Sequence, residues 1–120
     1  MAQSKVFESE YRFCLILWDN EPIGSTQLTK LCKEKLGWTK ATTYTVIRRL
    51  SERQIIKNEN AVVTSLVSKL DVQIAEIDEL IDSKFGGSLP AFIAAFAKHR
   101  SLSEDEAEQL HKIINAHQAN

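Results

Sequence analysis

Apolar residues recur at helical spacing in the first half of the chain, in runs divided by breakers. Tyr11, Cys14, Leu15 and Trp18 predict a helix over 9–19 with Ser9 as its N-cap. The run Asp19-Asn20-Glu21-Pro22 ends it, because proline cannot continue a helical hydrogen-bond ladder. Ser25 is placed to cap a second helix carrying Leu28, Leu31, Cys32 and Leu36 on one face. Gly37 stands where a helix end favours a left-handed residue. Thr39 opens a third helix running to about Arg53. The period then changes. Ile55-Ile56-Lys57 and the stretch from Val62 to Val67 are β-branched and apolar, and Asn58-Glu59-Asn60 between them reads as a polar turn. Three helices followed by a hairpin is the order of a winged helix-turn-helix, the hairpin being the wing.

The second half reads as helical. Ser68 and Asp71 resemble a capping box with aspartate in place of the usual Glu or Gln. Leu70, Ile74, Ile77 and Ile81 follow at spacings of 4, 3 and 4, a seam suited to helix pairing. Phe85-Gly86-Gly87 closes that helix. Ser88 and Pro90 start another, with Phe92, Ile93 and Phe96, and Ser103 and Glu106 box the start of the last, with Leu110 and Ile114 on one side. The expected class is mainly α with a small β-hairpin: a winged-helix DNA-binding domain over 1–67 and a three-helix dimerisation domain over 68–120. The 53 or so residues of the second segment bury too little surface to stand alone, so Leu70, Ile74, Ile77, Ile81, Phe92 and Phe96 are expected to meet a second copy.

Composition narrows the class. The chain is 43% hydrophobic and 26% charged, which is globular and not disordered. No apolar run approaches the ~18 residues of a membrane span, and the opening MAQSKVFESEYR lacks a signal-peptide core. A cytoplasmic protein with no membrane contact is expected, with Cys14 and Cys32 as free, packed thiols.

Charge changes the picture more. The net charge of -1 hides a balance of +3 over residues 1–67 and -4 over 68–120. Within 30–57, Lys30, Lys33, Lys35, Lys40, Arg48, Arg49, Arg53 and Lys57 face Glu34 and Glu52 alone. A local basic block on an acidic chain suits a polyanion, although a solvated helix face has the same composition. The third helix sharpens this. At 100° per residue, Thr43, Val46, Ile47 and Leu50 share an inner face, while Ala41, Tyr44, Thr45 and Arg48 point outward with Thr42 and Arg49 at the flanks. Arg forks onto guanine or grips a phosphate, and Thr and Tyr donate to phosphate or touch base edges, the mixture a recognition helix needs. The competing reading is a winged-helix module that binds protein and not DNA; its outer face would be apolar.

Several pieces together resemble the penicillinase-repressor (BlaI/MecI/CopY) family of winged-helix regulators. They are Tyr11 to Trp18-Asp19, Gly37-Trp38-Thr39, and Thr42-Thr43-Tyr44-Thr45-Val46-Ile47-Arg48-Arg49-Leu50. After the hairpin come Phe85-Gly86-Gly87-Ser88, Phe96-Ala97 and Leu102-Ser103-Glu104-Asp105-Glu106. The resemblance implies a homodimer that binds a palindromic double-stranded DNA operator and represses transcription. It implies contacts from Thr42, Tyr44, Thr45 and Arg48, with the wing around Lys57 and Asn60 on the backbone. Copper-responsive relatives carry a C-terminal cysteine cluster, and no cysteine follows Cys32 here. Antibiotic-responsive relatives are cut by a sensor protease at an Asn-Phe bond; the matching bond is Ala95-Phe96, expected to be helical with Phe96 buried.

Nothing points to catalysis or a cofactor. There is no glycine-rich phosphate loop and no recognisable nucleophile motif. His99, His111 and His117 lack metal-ligand spacing. Trp18 and Trp38 are expected in the core and at joints between elements.

Overall fold

The computed structural model describes residues 5–118. Its elements run α1 (Glu8–Asn20), β1 (Ile23–Gly24), α2 (Ser25–Leu36), α3 (Lys40–Glu52), β2 (Ile56–Glu59), β3 (Val62–Ser65), α4 (Lys69–Lys84), α5 (Leu89–His99) and α6 (Glu104–His117). The class is mainly α with a small antiparallel sheet, in winged-helix order. Contacts divide the chain into two compact units, one ending at Glu79 and one beginning at Leu80, with α4 passing through the division.

Helix starts depart from the expectation twice, for one reason. A free backbone N–H at a helix start can be satisfied by groups other than a capping hydroxyl. The N-cap of α1 is Phe7, not Ser9, and its N–H donates to Glu10 Oε1 at 2.9 Å. The N-cap of α2 is Gly24, not Ser25. Ile23 and Gly24 are drawn into the sheet as β1, opposite Val63 and Val62, and the Ser25 N–H donates to the Ala61 carbonyl at 2.8 Å. A two-residue strand has no periodicity to read, so β1 was invisible in the sequence. Elsewhere the expected punctuation stands. Gly37 has φ +70° and ends α2, and Thr39 Oγ1 accepts the Thr42 N–H at 3.1 Å to start α3.

The hairpin turn falls at Asn60-Ala61, shifted from the expected Asn58-Glu59-Asn60. Both turn residues have positive φ, 53° and 60°, as a two-residue hairpin loop requires. Glu59 therefore lies in β2, paired with Val62. Left-handed backbone costs alanine about 1 kcal/mol, and the hydrogen bond from Ser25 to the Ala61 carbonyl holds the turn in place. Strand order is β1-β3-β2, so the wing is anchored at its centre by β3.

The core of this unit gathers Phe13 and Leu17 from α1, Leu28 and Cys32 from α2, and Val46, Ile47 and Leu50 from α3, closed by Ile23, Ile55, Ile56 and Val63. On α1 the fully buried face is Phe13, Cys14 and Leu17; the expected Tyr11, Leu15 and Trp18 are half-buried. The helix has two apolar sides. One meets the core, with Phe13 stacked on Trp38 at 6.2 Å. The other sets Tyr11 edge-on to Trp18 at 5.9 Å, and the Trp18 indole N–H donates to the Val67 carbonyl at 3.1 Å. Trp18 thus ties α1 to the segment leading into α4.

Ser68 and Asp71 form the reciprocal cap of α4: the Asp71 N–H donates to Ser68 Oγ at 3.0 Å and the Ser68 N–H to Asp71 Oδ2 at 3.3 Å. The far end of α4 stops at Gly86 and Gly87, both left-handed, with the Gly87 N–H returned to the Ile81 carbonyl at 3.0 Å. Ser88 caps α5 and Ser103 with Glu106 boxes α6, as expected. Phe92 packs between Phe85 at 5.3 Å and Phe96 at 6.3 Å. No residue of α5 or α6 is buried.

Candidate nucleic-acid interface

The third helix is sorted as its periodicity demands. Thr43, Val46, Ile47 and Leu50 are its buried residues. Ala41, Thr42, Arg48 and Arg49 are exposed, and Tyr44 and Thr45 half-buried. The Tyr44 hydroxyl lies 3.3 Å from Ser25 Oγ at the start of α2, and Thr45 Oγ1 donates to the Ala41 carbonyl at 3.0 Å. Both outward hydroxyls are therefore held by the fold before any ligand arrives. No large apolar side chain of α3 is among the exposed ones.

The basic block separates into two populations. Lys30, Lys33, Lys35, Lys40, Arg48, Arg49 and Lys57 are exposed. Arg53 is turned inward: it pairs with the buried Glu10 carboxylate at 2.7 Å, donates to the Lys5 carbonyl at 2.6 Å and sits 5.7 Å over the Phe7 ring. It joins the end of α3 to the start of α1, a use that charge counting misses. Among the described residues, Arg48 and Arg49 form no ion pair, while Lys57 pairs with Glu59 at 3.5 Å.

Strand alternation places the wing residues. Lys57 and Glu59 share one face of β2, as their ion pair attests; Asn58 shares the other face with buried Ile56. Asn58 lines a cleft of about 470 Å³ with Tyr44, Ile47, Arg48, Ser51 and Glu52 of α3. Asn60 is exposed at the hairpin tip. Sequence reasoning passed over Asn58, Ser51 and Glu52; counting two residues on from Ile56, once Ile56 is known to be buried, finds Asn58.

Apolar side chains are exposed in both units. Leu70, Ile74 and Ile77 of α4 are exposed, while Ile81 on the same helical face is 8% exposed. Leu89, Ile93, Leu110, Ile113 and Ile114 are also exposed. Phe92 is half-buried, and Phe96, expected to be buried, is 47% exposed, with Phe92 stacked on it and the Arg100 guanidinium 5.8 Å over its ring. A groove of about 380 Å³ between α5 and α6 is lined by Phe92, Phe96, Leu102, Leu110 and Ile113 among others. The Ala95-Phe96 bond lies within α5.

The remaining candidates are quiet. His99, His111 and His117 are exposed, and no group of three or more potential ligands is placed to hold a metal among the described residues. Cys14 and Cys32 are buried free thiols. Burial, reinforced by the Glu10 carboxylate, pushes Cys14 up to about 12, and burial raises Cys32 as well. Neither is a ready nucleophile. No helix of the described residues is long and apolar enough to cross a membrane.

Against known proteins, the family model described as penicillinase repressor matches residues 7–116. The chain is 24% identical over 115 residues to the methicillin resistance regulatory protein MecI of Staphylococcus aureus, covering 92% of this chain and 94% of that protein. The MecI of Mammaliicoccus sciuri matches with the same identity and coverage. A penicillinase repressor of Staphylococcus aureus is 23% identical over 117 residues, covering 94% of this chain and 93% of its own length.

Proposed function

The chain belongs to the penicillinase repressor family, and from that premise we propose that it is a transcriptional repressor whose homodimer reads a palindromic operator with α3. The observation that carries this is the division of α3. Its buried face locks the helix to the core, while Ala41, Thr42, Tyr44, Thr45, Arg48 and Arg49 form a polar, basic outer side free of large apolar residues. That composition fits a DNA groove and disfavours a protein-binding module. The N-terminal half of α3 enters the major groove, and the wing, through Lys57 and Asn60, lies along the phosphate backbone.

We assign DNA reading to residues 1–67 and dimerisation to 68–120. The exposed Leu70, Ile74 and Ile77 of α4, and separately Phe92 and Phe96 of α5, are the apolar positions a second copy would cover. Two-fold pairing of identical patches is the commonest solution for such a surface, and it matches a palindromic site. A sensor protease acting at Ala95-Phe96 would detach α6 from the winged helix, so it would act through loss of the dimer. Residues 1–95 binding as tightly as the full chain would refute that route. The primary test is selection from random duplexes by the purified protein, followed by fluorescence anisotropy. Enrichment of an inverted repeat is the expected result; failure to enrich any sequence would refute the reading.

A further inference from the structure

We propose that the cleft between α3 and β2 is a clamp for one DNA backbone phosphate, gripped by Arg48 and Asn58 and tempered by Glu52. This rests on the reading of the chain as a DNA-binding protein and extends it to Asn58 and Glu52, with Arg48 placed on the backbone and not on a base.

Recognition helices meet base edges with their N-terminal half. Arg48 is the ninth of the thirteen residues of α3, and Ser51 and Glu52 close the helix. The C-terminal half therefore faces the groove's edge, where the backbone runs. Arg48 is exposed and makes no ion pair among the described residues, so its guanidinium is available.

The opposite wall comes from the wing. Lys57, the obvious cation of β2, lies on the sheet face away from Ile56 and is engaged with Glu59. Asn58 is the β2 side chain that shares the cleft with α3. An amide N–H₂ opposite a guanidinium supplies donors from two sides to one set of phosphate oxygens. The cleft is open to solvent along most of its face, so a backbone phosphate can reach it from outside.

Glu52 lines the same cleft and is exposed, without an ion-pair partner among the described residues. A carboxylate beside a phosphate weakens the contact. Its presence lowers affinity for every sequence alike, so that affinity for the operator depends more on the base contacts of the N-terminal half of α3. Within the clamp, Arg48 is a positioning contact on the backbone.

The test uses the full chain with Asn58→Asp, Glu52→Gln and Arg48→Ala, each checked by circular dichroism and thermal melting. Asn58 and Glu52 are exposed and make no side-chain hydrogen bond among the described residues, so folding is expected to be unaffected. Anisotropy is read on the selected duplex and on its scrambled version at several salt concentrations. Asn58→Asp should weaken binding to both duplexes by the same factor, on the order of tenfold. Glu52→Gln should tighten both by the same factor, and Arg48→Ala should reduce the salt slope by about 0.9 on each. Unchanged affinity in Asn58→Asp or Glu52→Gln, or a change confined to one duplex, overturns the clamp. If the unaltered protein binds the selected duplex no better than the scrambled one, the repressor reading itself fails.

Discussion

The two compact units treat the same kind of residue in opposite ways. In the unit ending at Glu79, apolar side chains from three helices and the sheet close on one another: Phe13, Leu17, Leu28, Leu50, Ile55, Ile56 and Val63 are fully buried. In the unit beginning at Leu80, leucine, isoleucine and phenylalanine are as frequent, yet α5 and α6 bury nothing. Composition does not distinguish these regions; closure does. A winged helix presents its three helices and sheet at angles that enclose a volume. Two short helices after a glycine turn make a layer with one open side, which the two helices by themselves do not close.

Substitutions can break this contrast. The largest effect is expected at the proposed dimer surface. Ile77→Asp should dissociate a dimer and, by removing the joint engagement of two half-sites, weaken operator binding by about a hundredfold or more. Sedimentation and anisotropy on one sample would check it; unchanged mass would remove the dimer from the proposal. Next comes a matched pair of truncations. Leu50→Ala in the closed core should cost about 2–5 kcal/mol in urea unfolding. Leu110→Ala should cost far less in the monomer and show itself instead in protein-concentration dependence. Equal costs at low concentration would erase the contrast between the units.

Smaller effects test the polar joints of the closed unit. Arg53→Ala strands the buried Glu10 carboxylate and should cost about 1–3 kcal/mol by the same unfolding measurement, with Arg53→Lys recovering part. Cys14 contributes a pH dependence of known sign. Its folded pKa of about 12 lies above the ordinary 9.0. The stability tied to it is complete below pH 9, and falls as pH rises from there toward 12, by at most about 1.4 kcal/mol per unit. Cys14→Ala should flatten that alkaline limb. The smallest change is Lys5→Ala, which removes an exposed ion pair to Glu79 and should cost under about 1 kcal/mol.

Much of this was readable one residue at a time. Thr39, Gly37, Ser68 with Asp71, and Ser103 with Glu106 mark helix ends by local hydrogen bonding that needs no distant partner. The inner face of α3 follows from a single period. The failures share a cause. Ser9 and Ser25 were plausible caps displaced by a carboxylate and by a strand. The turn slid from Asn58 to Asn60-Ala61 because cross-strand pairing of Glu59 with Val62 sets the register. Within the basic block, Arg53 reads like its neighbours until Glu10 is placed beside it, and Asn58 reads as part of a turn until β2 is placed against α3.

By itself the sequence determined the helices, their order, the wing and the sidedness of α3, since these depend on periodicity and on groups within four residues of one another. Tertiary structure alone decided which of the basic residues stay free among the described residues, which strand face looks at α3, and that α5 and α6 bury no residue. The first depends on a contact between residues 43 apart, Glu10 with Arg53, and the second on how β2 packs beside α3. Spacing along the chain carries no record of such contacts.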